Sequence, residues 1–452
     1  MNASPARIAD NSGTGKDLFG HPRALTFLFA TEMWERFSYY GMRALLVLYM
    51  VKYLLAPERA GQVLGLSPFR SVLEFVFGPL ATQPLASQIY GFYTGLVYLT
   101  PILGGLLADR ILGQRRTVIL GAALMAVGHF MMAFEQLFLL ALIVLILGNG
   151  AFKPNISTQV GALYEPGDRR RDRAFSIFYV GINLGAFLAP LVCGTLGEEL
   201  GWHYGFAAAG IGMTTGLVIY LLSAPTLPPD AFAKRETPHR ALGREEWLAI
   251  GAIMALMLPV SLYWGTYEQQ GNTIALWADQ HTDRHLFGAE IPVTWFQAFN
   301  PFMIFAFTPF IVALWRRQGA NEPSTVAKMA IGCFLNAAAY LIMVAAAWQA
   351  DGSQASWLWL FGFFVVITVG ELYLSPVGLS LVTKVAPLRI LSMMMGVWLS
   401  TSFIGGFLAG YLGTFWSSMA KADFFLMLAI ISAAAGVAIA LLIRPLRATL
   451  QN

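Results

Sequence analysis

The sequence predicts an all-α membrane protein made of two six-helix bundles, and three observations support this prediction. The 452 residues are 57% hydrophobic and only 12% charged, whereas about a quarter of a soluble protein is charged, so a soluble enzyme is excluded. About twelve apolar segments are long enough to cross the hydrocarbon core of a bilayer. A polar stretch from Thr226 to Glu246 divides these segments six and six.

The predicted spans follow one another along the chain. They cover residues 24–54, 84–109, 117–136, 138–163, 174–197, 203–223, 246–275, 294–315, 326–349, 356–384, 393–417 and 422–444. Two bundles, 24–223 and 246–444, are therefore expected on either side of a linker at 224–245, with tails at 1–23 and 445–452. The connection over 56–82 is unusually long, and its part from Ser67 to Phe77 is a candidate for a short helix on the membrane surface.

Basic residues mark one side of the membrane. Of the 29 lysines and arginines, 21 fall in the two tails and in the loops that share their side. The opposite side holds five, namely Lys52, Arg59, Arg70, Arg284 and Lys421. Because cytoplasmic loops are enriched in Lys and Arg, both termini are predicted to be cytoplasmic. The same distribution explains the net charge of +4 without a nucleic-acid partner.

Few residues suggest metal or catalytic chemistry. Cys193 and Cys333 lie in separate apolar runs, so neither a disulfide framework nor a metal site is indicated, and no cofactor is expected. An enzyme would need a histidine, serine or metal constellation at the bundle interface, and none is evident, so we expect a protein that is not an enzyme. His129 lies in the third span without an evident role.

Seven charged residues fall inside the predicted spans. They are Glu32, Glu35, Arg36, Arg43, Lys153, Glu268 and Glu371. A charge at the bilayer centre costs upward of about 2.5 kcal/mol, so each of these residues needs a partner or water, and each indicates a functional site.

The first span concentrates four of these charges in the segment TEMWERFSYYGMR. Successive helical residues are turned by about 100°, so six polar or aromatic side chains fall within an arc of about 140° and are predicted to face one way. These six are Glu32, Glu35, Arg36, Tyr39, Tyr40 and Arg43. The alternative is that Glu32 and Arg36 form a self-sufficient ion pair that only stabilises helices.

The other three charges stand beside helix-breaking or polar residues. Lys153 lies mid-span in GNGAFKPN, where Pro154 removes a backbone donor and the two glycines are expected to loosen the helix. The alternative there is a plain proline kink with a snorkelling lysine. Glu371 lies deep in GELYLSPVG, whereas Glu268 in TYEQQGNT lies near the extracellular end of its span, where an interfacial position is the alternative.

The seven charges lie in spans 1, 4, 7 and 10, which nested threefold repeats would bring to a central axis. The first half contributes a net positive charge and the second half a net negative one. Such a cavity complements a zwitterion with separated carboxylate and ammonium groups, as in a short peptide. The overall negative excess leaves room for a proton, which a carboxylate would carry. Nearby aromatic residues could line side-chain pockets, although core packing explains each equally well: Tyr39, Tyr40, Tyr90, Tyr93 and Trp398.

Four segments together resemble one transporter family. EMWER followed by FSYYG is similar to its E-x-x-E-R signature on helix 1, GNGAFKPNIS and FSIFYVGINLGAFLAP resemble two further signatures, and GELYLSPVGLS resembles its helix 10 segment. On these residues the chain is identified as a member of the proton-coupled oligopeptide transporters of the major facilitator superfamily. The loop GGLLADRILGQRR resembles the cytoplasmic motif of the wider superfamily.

The resemblance implies the major facilitator fold and a role for each candidate residue. It implies that Glu32, Glu35 and Arg36 couple protons with Lys153 as their alternating partner, and that Glu268 forms a gating pair with helix 1, here with Arg43. Arg43 and Lys153 would receive the carboxylate of the peptide, and Glu371 its ammonium. The other implied substrate contacts are Tyr39, Tyr90 and Asn183 along the peptide backbone, with Asn300 and Trp398 lining the pocket.

Two departures from the family matter. Many bacterial members carry two further helices between the halves, whereas this polar linker of about twenty residues is too short for a helical hairpin. Animal relatives have a histidine in helix 2 just after an Ile-Tyr pair, whereas QIYGFYT has Gly91 there. Coupling is therefore expected to rest on carboxylates.

These inferences predict a monomeric symporter in the bacterial inner membrane that imports di- and tripeptides with protons by alternating access. Protonation of a carboxylate is expected to free its cationic partner, so that the bundles rock and open the site inward. The alternative function is that of a major-facilitator transporter for another small zwitterion or anion, such as an amino acid, nitrate or a drug.

Overall fold

The protein is almost entirely helical, in a computed structural model that describes residues 20–165, 168, 170–227, 243–350, 352–387 and 390–450. Most of the predicted N-terminal tail and of the linker lies outside the described residues. The helices are α1 (Arg23–Tyr49), α2 (Pro57–Ala60), α3 (Leu66–Phe77), α4 (Thr82–Leu107), α5 (Gln114–Met131), α6 (Phe138–Ala162), α7 (Arg170–Ala189), α8 (Trp202–Ser223), α9 (Arg244–Tyr267), α10 (Thr273–Gln280), α11 (Phe299–Gln318), α12 (Thr325–Ala350), α13 (Trp357–Val385), α14 (Leu391–Gly413) and α15 (Lys421–Leu450).

Ten helical stretches of the described residues are long and apolar enough to cross a membrane. They contain α4, α6, α7, α8, α9 with α10, α11, α12, α13, α14 and α15. Two other long helices, α1 and α5, are less apolar, because four charges interrupt α1 and a polar first turn opens α5. Both pack inside the same bundle, α1 against α7 and α8, and α5 against α6 and α8.

The helix bounds agree with most predicted spans to within a few residues, and the seventh span is the main exception. It was predicted to end at residue 275, but α9 gives way to a 3₁₀ turn at Glu268–Gly271 and then continues as α10 to Gln280. The chain is also not purely helical. Two short strand pairs occur, β1 (Thr282–Asp283) parallel to β4 (Ala355–Ser356), and β2 (His285–Leu286) antiparallel to β3 (Ala289–Glu290).

The two ends of the bundle differ in their basic residues and in their short helices and strands. We call the end where α1 begins and α15 ends the tail side, and the opposite end, with α10 and the strand pairs, the hairpin side. The basic residues assigned to the cytoplasmic loops that fall on described helices lie at the tail-side ends of those helices, for example Arg115, Arg244 and Lys384. The predicted surface helix is α3, on the hairpin side.

The first half comprises α1 to α8 and the second α9 to α15, and they meet mainly through α4 with α14 and α7 with α11. Glycines face each other across the first contact. A Cβ atom added to Gly91 would lie 2.5 Å from Gly410 Cα, and one added to Gly406 would lie 2.5 Å from Gly95 N. The two backbones therefore touch.

Helix α6 contradicts the prediction that its two glycines loosen the helix. It runs without a break from Phe138 to Ala162, although Pro154 lies inside it. A Cβ atom at Gly150 would lie 2.6 Å from Thr100 Cβ of α4, and one at Gly148 would lie 2.7 Å from Met125 Cγ of α5. These glycines therefore do not loosen α6 but let α4 and α5 approach it closely.

Candidate functional site

A cavity of about 380 Å³ lies between the two halves. Its volume falls in the range of about 300–1,000 Å³ that is typical of small-molecule sites. Six of the seven intramembrane charges line it, namely Glu32, Arg36, Arg43, Lys153, Glu268 and Glu371. The four charge-bearing helices therefore meet around one space, as the spacing of the spans predicts.

The other predicted site residues divide into two groups. Tyr40, Asn183, Asn300 and Trp398 line the cavity. Glu35, Tyr39 and Tyr90 are not among the residues that line it, and all three are buried behind its wall.

The prediction that all six polar residues of α1 face one way is therefore wrong for two of them. Glu35 and Tyr39 lie at one edge of the predicted arc, where the helix surface turns toward its neighbours. Glu35 accepts a hydrogen bond from Asn149 Nδ2 of α6 at 3.2 Å, and the Tyr39 ring stacks on Tyr93 of α4 at 6.3 Å. Helical spacing gives the arc correctly, but the width of the cavity decides how much of the arc is exposed to it.

A cluster of charges within α1 forms one wall. Arg36 Nη2 donates to Glu35 Oε1 at 2.7 Å, and Arg36 Nε lies 3.3 Å from Glu32 Oε1. All three side chains are at most 5% exposed. Among the described residues, Glu32 Oε2 has no hydrogen-bond partner. This cluster thus consists of one cation shared by two carboxylates, and one of the carboxylate oxygens has no hydrogen-bond partner among the described residues.

Lys153 is placed differently from the two arginines. Its Nζ lies 4.8 Å from the centre of the Tyr98 ring, and in the part of the chain that the structure describes no carboxylate lies within ion-pair distance of it. A cation over an aromatic face is only weakly neutralised. Lys153 therefore presents a positive charge to the cavity that an anionic group could approach.

Arg43 joins the two halves at the end of the cavity nearest the hairpin side, which we call its roof. Its guanidinium pairs with the Glu268 carboxylate and donates to the Tyr90 hydroxyl from Nε at 3.0 Å and from Nη2 at 2.8 Å. Glu268 is 4% exposed and lines the cavity, so its carboxylate faces the interior of the bundle. Tyr90, a fully buried residue of α4, supports the ion pair from behind.

Glu371 lies on the wall that the second half contributes. Its Oε2 accepts hydrogen bonds from the Tyr267 hydroxyl at 2.5 Å and from Asn300 Nδ2 at 2.9 Å. Asn300 is itself held by Thr368 Oγ1 at 3.1 Å. Both donors to Glu371 are neutral, so this carboxylate keeps its charge available to a cationic group in the cavity.

Several lining residues were not predicted from the sequence. They are the aromatic residues Tyr98, Tyr179, Trp264 and Tyr267 and the amides Gln270 and Gln297. Tyr267 adjoins Glu268, and that adjacency could have marked it. The sequence does not distinguish the other aromatic residues as cavity-lining, because aromatic residues are common throughout the spans. It does not distinguish the two amides either.

A second layer of contacts seals the hairpin side above the cavity. Lys52 Nζ lies 2.7 Å from Asp279 Oδ1, and Ser87 Oγ donates to Asn272 Oδ1 at 2.9 Å. Glu198 of the first half accepts from the backbone N–H groups of Val293 at 2.8 Å and Thr294 at 2.9 Å.

The described residues show no matching layer of contacts between the halves on the tail side. In the described residues, every hydrogen bond and ion pair between the halves lies at the roof of the cavity or farther toward the hairpin side. The cavity is thus closed on the hairpin side by polar contacts that, among the described residues, have no counterpart between the halves on the tail side.

Other titratable groups stand apart from the cavity. Both ring nitrogens of His129 are buried without a partner among the described residues. The described residues contain no group of three or more His, Cys, Asp or Glu side chains that could hold a metal ion. Cys193 and Cys333 are buried and unpaired.

Comparisons with known proteins give a consistent result. The model of the POT family matches residues 115–229 and 239–429. A di-/tripeptide transporter of Lactococcus lactis subsp. cremoris is 34% identical over 96% of this chain and 97% of its own length. The peptide transporter YePEPT of Yersinia enterocolitica is 32% identical over 99% of this chain and 98% of its own length. A crystal structure of the peptide transporter POT in complex with sulfate superposes with a TM-score of 0.86, at 29% identity and with 98% of each chain covered.

Proposed function

This chain belongs to the POT family, and we propose that it is a multi-pass transporter of the bacterial cell membrane that imports di- and tripeptides together with protons. One observation carries the proposal. The cavity offers an unpaired cation, Lys153, from the first half and a carboxylate held only by neutral donors, Glu371, from the second. A zwitterion whose carboxylate reaches Lys153 and whose ammonium reaches Glu371 would neutralise both.

The roles of the lining residues follow from their partners. The peptide carboxylate would bind Lys153 first, because Arg43 is engaged by Glu268. The ammonium would bind Glu371 alongside Tyr267 and Asn300. Tyr40, Asn183 and Trp398 would contact the rest of the peptide from the surrounding walls. Tyr39 and Tyr90, which the family resemblance assigned to the peptide, would act here by supporting α1 and Arg43.

We further propose twelve spans with both termini in the cytoplasm. The ten candidate spans become twelve when α1 and α5 are included, and the tail side carries most of the basic residues. The alignment with the Yersinia protein extends over 534 positions, more than the 452 residues of this chain. That relative therefore has additional residues, consistent with a shorter, twelve-span chain here. The tail side of the cavity would then face the cytoplasm.

The position of the Arg43–Glu268 pair changes the expected direction of coupling. The pair joins the halves on the closed hairpin side, so protonating Glu268 would weaken that closure and favour opening to the outside. This is the reverse of the expectation that neutralisation opens the site inward. Return to the inward-facing state would follow when the proton leaves Glu268 and the pair re-forms.

The proton taken into the cell would be held within the first half. Among the described residues, Glu32 Oε2 is a buried carboxylate oxygen without a hydrogen-bond partner, and a proton there would remove the cost of burying a negative charge. Arg36 and Lys153 line the cavity beside Glu32, and Glu35 lies behind this wall, paired with Arg36. Proton release from Glu32 would leave Arg36 shared between two carboxylates, as observed.

Uptake by the purified protein in liposomes tests the proposal. Labelled dialanine should accumulate when an inward proton gradient and membrane potential are imposed, and a protonophore should abolish accumulation. Unlabelled di- and tripeptides should compete, whereas free amino acids and nitrate should not. Uptake that is indifferent to the pH gradient would remove proton coupling, and competition by amino acids or nitrate alone would favour the alternative substrates.

A further inference from the structure

Helix α3 has three distinct faces. Leu66 and Leu73, 4% and 2% exposed, pack against the protein. At about 100° per residue, Val72, Phe75 and Val76 fall on one flank of that buried face, and these side chains are 64%, 92% and 65% exposed. Ser67, Arg70, Ser71 and Glu74 fall on the opposite flank. A helix lying between an apolar phase and water has this arrangement.

The rotation of α3 about its axis is fixed by hydrogen bonds at both of its ends. Arg70 donates to Glu74 Oε1 at 2.8 Å and to the Leu80 carbonyl at 2.6 Å, and Leu80 N–H donates back to Glu74 at 3.1 Å. These bonds hold the pKa of the Glu74 carboxyl below its ordinary value. Before the helix, Leu64 N–H donates to the Gln136 carbonyl at 3.0 Å. The direction in which each flank points is therefore set by the fold.

The position of α3 along the spans places its apolar flank at membrane level. The Phe69 ring lies 5.9 Å from the Phe92 ring of α4, and Phe92 lies ten residues after Thr82, about 15 Å along the helix axis. The Phe77 ring lies 5.9 Å from that of Tyr411 on α14, which is 43% exposed on the outer surface. The buried face of α3 thus packs beside two candidate spans, and the apolar flank adjoins that face on the side of Phe69.

We propose that α3 binds the lipid surface on the hairpin side, with Val72, Phe75 and Val76 among the acyl chains and the serine flank in water. A second protein is a poorer occupant, because a stable interface takes about 20–30 residues a side, whereas this flank presents three. The α1–α4 connection is on this account an anchor that fixes the depth of the hairpin side in the membrane. The proposal does not depend on the transported substrate.

Site-directed spin labelling in liposomes tests the proposal. Nitroxides would be attached in separate variants Val72→Cys and Val76→Cys, with Ser67→Cys as the matched control on the other flank. The unmodified chain supplies the background, since Cys193 and Cys333 are buried. Collisions with dissolved oxygen, which concentrates in lipid, are compared with collisions with a water-soluble nickel complex. The ratio should be several-fold higher at residues 72 and 76 than at residue 67.

Two results would overturn the proposal. Equal nickel accessibility at residues 72, 76 and 67 would place both flanks in water. Protection of residues 72 and 76 from both reagents would show that another protein surface covers the flank. Because the measurement needs no peptide and no proton gradient, it stands apart from the uptake assay, and failure of one leaves the other unaffected.

Discussion

The two ends of the central cavity are built differently. On the hairpin side the halves are joined by two layers of polar contacts, Arg43 with Glu268 at the roof and Lys52 with Asp279 beyond it. On the tail side the described residues show no such contact. A charge that is paired across the halves closes the cavity. A charge that is paired within one half, such as Arg36, or that lies over an aromatic ring, such as Lys153, stays available to a ligand in the cavity.

Removing the free cation of the cavity should have the largest effect. Lys153→Ala should abolish both gradient-driven uptake and counterflow, because a charged hydrogen bond to the ligand is worth about 1.5–3 kcal/mol, and no second unpaired cation lines the cavity in the described residues. Initial rates of labelled dialanine exchange measure the loss. Lys328→Ala is the matched control, since that lysine pairs with Glu322 outside the cavity. Retained counterflow in Lys153→Ala would assign this residue to coupling alone.

Removing a carboxylate of the α1 cluster should separate the two modes of transport. Glu32→Gln or Glu35→Gln should abolish accumulation against a gradient yet spare counterflow, because the neutral side chain imitates the protonated state and cannot release a proton. The measurement compares both modes in the same liposome preparation. Loss of counterflow as well would point to a role in folding or binding.

Weakening the polar contacts on the hairpin side should raise the fraction of molecules whose cavity is open on that side. In Glu198→Gln, one amide oxygen replaces a carboxylate that accepts two backbone N–H groups, at a cost of about 1–2 kcal/mol. The population opened on the hairpin side should therefore rise about fivefold to thirtyfold. Distances between spin labels at Gln136→Cys and Ser418→Cys, one on each half, report this population.

The neighbouring carboxylate provides the control for that experiment. Glu199 is exposed, so Glu199→Gln should leave the label distances unchanged while removing the same charge. An equal shift in both variants would mean that surface charge, and not the contact of Glu198 with the second half, sets the balance.

The smallest change in the open population is expected when an uncharged contact on the hairpin side is removed. Ser87→Ala removes the hydrogen bond to Asn272, a contact worth about 1 kcal/mol, so the open population should rise by about fivefold. The same pair of spin labels measures it. A shift larger than that of Glu198→Gln would contradict the ranking of charged above neutral contacts in this seal.

The sequence predicted the charge-bearing helices well, because polar groups within long apolar segments are rare and costly. It placed Glu32, Arg36, Lys153 and Glu371 in spans that meet around one cavity. It also suggested α3, since an amphipathic stretch between two spans has a recognisable composition.

Features that depend on neighbouring helices could not be predicted. Helical spacing gives the direction of Glu35 relative to Glu32 but not the presence of Asn149 opposite it. The turn at Glu268–Gly271 was missed because the apolar sequence resumes at Ile274 after the polar run EQQGNT, so that one continuous span was predicted. That the Arg43–Glu268 pair joins the two halves at one end of the cavity could not be predicted without knowing at which end the halves meet.

The glycine contact between α4 and α14 has a consequence for how the halves can part. Gly91 and Gly410 meet through backbone atoms whose hydrogen bonds are already made within their own helices. Separating these two glycines moves no side chain of their own, whereas the nearby Phe407 ring packs on Gly95 and lies 4.5 Å from the Phe92 ring. The glycines therefore let α4 and α14 meet backbone to backbone, and the neighbouring phenylalanine rings are the groups that must repack if the halves part.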